Sequence, residues 1–208
     1  MIETICNKLT NRIRKEMPDV DEERAEVINY GLQLVLGEIP KIFLIFIIAY
    51  IFGLLKLTLL SFLLILPYKA VSGGTHLHSH IGCIIATCLF YIGNAAISKY
   101  FLWSSFLVKY IAVVLIWVFS MAMIKKYAPA DTADVPILRK RERKIKRILS
   151  YIIMTLELVI GLIVKNNLIS NLLIIGTLLQ TVTITSFMYK LTKNKYGYLE
   201  YIKMEKQK

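Results

Sequence analysis

The chain has 208 residues, 56% of them hydrophobic, with 26 Lys and Arg against 14 Asp and Glu. Soluble domains carry about 45–50% apolar residues, and here the surplus falls in long runs that a water-exposed fold does not require. The formal charge of +12 does not point to nucleic acid. Its basic residues sit between apolar runs, where a membrane protein places its cytoplasmic loops.

Residues 1–29 mix Arg12, Arg14, Lys15 and Arg24 with Glu16, Asp19, Asp21, Glu22 and Glu23. They read as an amphipathic segment on the cytoplasmic membrane surface. No apolar stretch ahead of a cleavage site marks a secretory signal, so the N-terminus is expected to stay inside. The first apolar stretch runs from Tyr30 to Leu55. Glu38, Pro40 and Lys41 interrupt it, which predicts a surface helix that turns into a span near Ile39. The run Leu57 to Pro67 is too short to cross ~30 Å alone at ~1.5 Å per residue. It is either extended by Tyr68 to Val71 or only partly inserted.

A polar patch, Ser72 to His80, precedes a span from Ile81 to Ser98. After a turn at Lys99-Tyr100 the next span runs from Leu102 to Ile124, with Lys109 turned toward protein or snorkelling. Residues 125–147 form a basic loop. Spans from Ile148 to Val164 and Leu168 to Tyr189 close a membrane domain over 30–189, and 190–208 is a basic tail. Five Lys and Arg precede Tyr30, nine lie in 125–147, and six follow Tyr189. Six crossings with both termini cytoplasmic satisfy the positive-inside rule at every loop. The fold expected is therefore all-α and polytopic, and a four-span variant with a re-entrant short run stays open. This topology puts Ser72 to His80 on the cytoplasmic side.

Three cysteines, Cys6, Cys83 and Cys88, do not describe a disulfide framework. Cys83 differs from the other two in its neighbours, because all three histidines, His76, His78 and His80, lie just ahead of it. Thiol catalysis needs a thiolate, a proton acceptor and oxyanion donors. A thiol in the first turn of a span meets the partial positive charge and free amides of a helix N-terminus. On a continuous helix His80 and Cys83 are neighbours at i, i+3, and His76 lies ~10 Å further along the axis. His76 reaches Cys83 only where the chain between them is not helical. Gly73-Gly74 supplies a bend. Spacing alone favours His80 and leaves His76 open. Gln33 is a candidate oxyanion donor or imidazole-orienting group, and Glu38 and Asp131 are weaker carboxylate candidates. A metal on His-x-His-x-His lacks an accompanying carboxylate, so no metal or cofactor is expected.

The stretch Lys69-Ala-Val-Ser-Gly-Gly-Thr-His76, followed by Cys83, resembles the active-site region of the AgrB family. These are membrane peptidases that mature AgrD precursors of cyclic autoinducing peptides in quorum sensing. Tyr30-Gly31-Leu32-Gln33, Tyr127-Ala-Pro-Ala130 and Pro136-Ile137 fall in matching order. The resemblance implies that His76 and Cys83 are the catalytic pair, with Lys69, Gly73 and Gly74 in support. It implies an AgrD-like precursor as partner in the cell membrane and leaves homodimerisation open. Lys69 stands where the family often has Arg, which keeps the charge but loses the bidentate fork. Ala133, Asp134 and Val135 replace a basic run found in some members. The rival from another class is a peptide transporter, supported by Lys109 and Glu157 within spans.

Overall fold

The computed structural model describes residues 2–17, 20–75, 77, 80–132 and 136–205, apart from the side chains of Ile2, Glu3, Glu23, Tyr30, Gln33, Leu34, Glu38 and His80. The chain divides into two compact units, Met1–Ile48 and Ala49–Lys208.

In the first unit α1 (Ile2–Glu16) precedes α2, which spans Glu22–Ile51 and carries its last three residues into the second unit. The Asp21 carboxylate accepts from the Arg24 amide at 2.8 Å and so satisfies a free donor at the start of α2. Asn29 Nδ2 donates to Asn7 Oδ1 at 2.7 Å, tying the two helices. The expected break near Glu38 to Lys41 does not occur. Pro40 lies inside α2, and the helix continues through it.

The second unit begins where α2 ends. Gly53, at φ 67°, donates to Tyr50 O at 2.9 Å, and Leu54 donates to Ala49 O at 2.8 Å. This pair of bonds closes a helix on a left-handed residue. The helices that follow are α3 (Leu55–Ser72), α4 (His80–Tyr100), α5 (Phe106–Tyr127), α6 (Lys140–Ile163), α7 (Asn167–Thr183), α8 (Ser186–Leu191) and α9 (Gly197–Glu205). Among the described residues, α4 from Ile81, together with α3 and α5, is long and apolar enough to cross a membrane, and α7 is a shorter apolar helix. The short run after Lys56 is thus extended, passing through Pro67 to Ser72. Three boundaries differ from the sequence reading. α6 starts eight residues earlier than the expected span, inside the basic loop; α5 starts at Phe106; and Ile184 and Thr185 break the last span before α8.

α7 is the centre of this unit, packed against α3, α4, α5 and α6. It buries Ser170, Asn171, Thr177, Gln180 and Thr181 beside Leu172, Leu173 and Ile174. Polar side chains suit such an interior, since helices in lipid gain more from hydrogen bonds and close packing than from burying apolar surface. Asn94 Nδ2 donates to Ser61 Oγ at 2.8 Å and to Leu172 O at 3.1 Å, joining α4, α3 and α7. Tyr68 and Ser120 both meet Thr181 Oγ1, at 3.0 and 2.8 Å. Lys109 turns inward and donates to Leu162 O at 3.4 Å, near the carbonyl-rich end of α6. The outward faces are apolar, as Leu107, Ile111, Leu115 and Val118 of α5 illustrate. This is a membrane protein.

Gly176 lets α7 approach its neighbours. A Cβ there would lie 2.5 Å from Ile65 Cδ1 and 2.8 Å from Asn94 Nδ2, whereas a Cβ on Gly93 would meet nothing within 4 Å. Gly176→Ala is expected to destabilise the protein by about 1–3 kcal/mol through overpacking. Gly93→Ala, at an open mid-helix position, should stabilise it by about 0.5–1 kcal/mol. Thermal unfolding in detergent checks the opposite signs; two shifts of the same sign would contradict this packing.

Candidate functional site

The Gly73-Gly74 segment leaves α3 by a sharp corner. Gly73 has φ 73° and ψ −150°, and its N–H still donates to Lys69 O at 3.0 Å. The corner then pairs with the loop after α5. Gly74 N–H donates to Ala130 O at 2.9 Å, and Ala130 N–H donates to Ser72 O at 2.8 Å, forming a one-residue parallel bridge. No Cβ fits at Gly73, since it would sit 2.2 Å from Ala130 O. Further along, Asn194 Nδ2 donates to Thr75 Oγ1 at 2.7 Å, and Thr75 and Thr192 hydroxyls are hydrogen-bonded.

Residues 73–75 and 77 are not helical, and α4 begins only at His80. His76 and His78 themselves lie outside the described residues, as does the side chain of His80. Cys83 is half-buried in the first turn of α4, and its carbonyl accepts from Thr87 Oγ1 at 2.8 Å. Lys69, in the last turn of α3, places Nζ 5.1 Å from the Phe90 ring centroid and 5.3 Å from that of Tyr91. Both contacts are of cation–π type. Gln33 lies in α2 of the other unit, and its side chain and that of Glu38 are outside the described residues. Among the described residues no group of three His, Cys, Asp or Glu could hold a metal ion.

Behind the corner, the loop Ala128 to Thr132 is buried and held from two directions. Asp131 Oδ2 accepts from Arg143 Nη1 at 2.9 Å, from Ile137 N–H at 2.9 Å and from Tyr198 N–H at 3.1 Å. Arg143 Nη2 donates to Pro129 O at 3.2 Å, and Arg147 Nε donates to Ala128 O at 2.8 Å. Asp131 is thus committed to this clasp. Arg143 and Arg147, both within the expected basic loop, grip backbone carbonyls. The C-terminal tail completes the clasp. Tyr189 Oη donates to Asp131 O at 2.9 Å, and Tyr196 stacks between Tyr127 and Tyr189 at centroid distances of 5.5 and 3.9 Å. Burial pushes the Tyr196 phenol above its ordinary pKa, so it stays neutral and donates to Ile184 O at 3.0 Å.

One contact at the corner was not anticipated. Gln180 of α7, fully buried, donates from Nε2 to Ser72 Oγ at 3.0 Å and to Gly73 O at 2.8 Å. A signal for it exists in the sequence: Thr177, Gln180 and Thr181 fall at i, i+3 and i+4 within one apolar run, which marks an interior face.

The sequence pattern of accessory gene regulator B, AgrB, matches residues 6–184. The chain belongs to the AgrB family. An AgrB-like protein of Clostridium acetobutylicum is 22% identical over 208 residues, spanning all of this chain and 95% of that protein. One from Clostridium perfringens strain SM101 is 30% identical over 152 residues, 71% of this chain and 68% of that protein. One from Listeria monocytogenes strain EGD-e is 28% identical over 188 residues, 88% of each chain. No solved structure matches. The AgrB match takes in the glycine corner, Cys83, Asp131, Arg143 and Arg147, and ends ahead of α8 and the tail that completes the clasp.

Arg143 makes contacts that an ammonium cannot reproduce, since a lysine lacks the planar fork. Arg143→Lys is expected to cost about 1–3 kcal/mol through unmade hydrogen bonds. Arg143→Met, which leaves Asp131 buried without its cation, should cost about 3–5 kcal/mol. Melting in detergent and trypsin cleavage at Arg139 and Lys140 provide the measurement. Equal stability of wild type and Arg143→Met would show that the clasp contributes nothing.

Proposed function

We propose that this AgrB-family protein is a cysteine endopeptidase that processes a small AgrD-like precursor at the cytoplasmic face of the membrane. The observation that carries the reading is the AgrB match over residues 6–184, joined to a glycine corner that ends α3 ahead of the helix bearing Cys83. His76 accepts the Cys83 thiol proton, and the sulfur attacks one backbone carbonyl carbon of the precursor. The tetrahedral intermediate collapses with expulsion of the amine, which takes the proton from His76. The N-terminal portion of the precursor remains as a thioester on Cys83. A Cys or Ser within that portion then attacks the thioester carbonyl, restores the Cys83 thiol and closes a thiolactone or lactone ring. No ATP is needed, because the thioester conserves acyl-transfer potential.

Backbone amides in the first turn of α4 are candidate oxyanion donors. Gln33 is a second candidate donor, and Lys69 and His80 have supporting roles. In this reading the chain crosses six times: through the second half of α2, then α3, α4, α5, the second half of α6, and α7. Both termini are then cytoplasmic, and Lys and Arg concentrate on that side. The transporter reading drew its support from Lys109 and Glu157 within spans. Both are buried, Lys109 on Leu162 O and Glu157 accepting from Thr177 Oγ1 at 2.8 Å.

The test is co-expression of a candidate precursor with each variant, followed by its length and ring closure by mass spectrometry. Cys83→Ala should abolish cleavage, and His76→Ala should slow it at least ~100-fold, the usual lower value for a general base. His80→Ala should stay within about tenfold of wild type, since loss of a group outside proton transfer escapes that penalty. Loss of cleavage in His80→Ala with retention in His76→Ala would reassign the base. A precursor unchanged in length with wild type would rule out the peptidase.

A further inference from the structure

The corner at Gly73 exposes four backbone polar groups, and three of them pair with other backbone: Gly73 N–H with Lys69 O, Gly74 N–H with Ala130 O, and Ser72 O with Ala130 N–H. The fourth, Gly73 O, is held by Gln180 Nε2 at 2.8 Å, with a weaker 3.4 Å approach from Ser72 Oγ. A carbonyl can only accept, so the amide orientation of Gln180 is fixed with its nitrogen on the corner. Its Oε1 is buried and without a partner among the described residues. Filling space alone would be served as well by an apolar side chain, with no orphaned oxygen in the interior.

Position matters more here than elsewhere on α7. Three Cα steps of about 3.8 Å separate Gly73 from residue 76, so a rotation of about 15° at the corner displaces that residue by up to ~3 Å. A misplacement of about 1 Å in a reacting group can cost roughly 100-fold in rate. We infer that Gln180 is a positioning residue: its amide fixes the Ser72-Gly73 corner and so sets where the chain delivers residue 76 relative to Cys83. This rests on the catalytic reading above.

The experiment uses the full chain in membrane vesicles, with Cys6 and Cys88 replaced by Ala so that Cys83 is the only thiol. The rate of Cys83 alkylation by iodoacetamide at neutral pH and the kinetics of precursor cleavage across pH are read together. Gln180→Leu removes both donors. It should lower kcat at least tenfold with KM within twofold, and slow alkylation toward the His76→Ala rate. Gln180→Glu keeps the shape but donates to Gly73 O only when protonated, so its cleavage rate relative to wild type should fall as pH rises. Thr177→Val, which removes a buried hydroxyl one turn away, should change neither readout. Should Gln180→Leu fail to accumulate, the pH-dependent ratio of Gln180→Glu alone decides. A Gln180→Leu protein that alkylates and cleaves like wild type, or a Gln180→Glu ratio flat with pH, overturns the inference. If His76→Ala itself leaves Cys83 alkylation unchanged, the catalytic reading falls, and this inference with it.

Discussion

Two hydrogen bonds across a single residue pair, Gly73 against Ala130, hold the glycine corner that ends α3. They join the exit of α3 to the loop after α5, two places more than fifty residues apart in the chain. The pairing works only because Gly73 lacks a Cβ and adopts a left-handed φ. Everything around it serves that contact. Arg143 and Arg147 hold the carbonyls of Pro129 and Ala128, Asp131 anchors Arg143, and the tail closes over Asp131. A segment that would otherwise be a free connection between two helices is therefore fixed at its upstream end.

The interior of the helical bundle is organised by a different device. α7 is too short and too polar to look like an ordinary lipid-facing span, and it has no need to be one. Its Ser, Thr, Asn and Gln side chains bond to α3, α4, α5 and α6, while the neighbouring helices turn leucine, isoleucine and valine outward. Trp103 Nε1, for example, donates to Asn171 Oδ1 at 2.7 Å, and Asn171 Nδ2 in turn caps Phe101 O at 2.7 Å at the end of α4. Polar groups in lipid are costly when exposed and useful when paired across helices. Glu157 and Lys109 follow the same rule, each finding a partner on an adjacent helix.

Much of this was legible from residue order. Apolar run lengths marked the α4 and α5 spans and left α3 open between extension and partial insertion, and the motif from Lys69 to Cys83 carried the family. The boundaries were less legible, for identifiable reasons. Pro40 and Pro67 looked like stops, yet α2 and α3 run through both. The basic stretch from Lys140 to Arg147 looked like a loop because charge dominated its composition. Its helical phase, which turns Arg143 and Arg147 toward the loop after α5, depends on a tertiary partner that no local pattern reveals. The partner of Gln180 was hidden for the same reason. One glutamine within an apolar run carries no label for the glycine corner it serves, which lies more than a hundred residues upstream.

The tail has one more implication, and it concerns timing. Thr192, Asn194, Tyr196 and Tyr198 contact Thr75, the Asp131 loop and the tyrosine stack, yet they are synthesised after α1 to α7. A chain whose translation has reached only α7 lacks the tail's clamps on both sides of the glycine corner. Proteins are synthesised from the N-terminus at about 5–20 residues per second, so the interval is brief, but it has a direction. The helix that carries Cys83 is made early, and the tail residues that clamp the glycine corner are made after it.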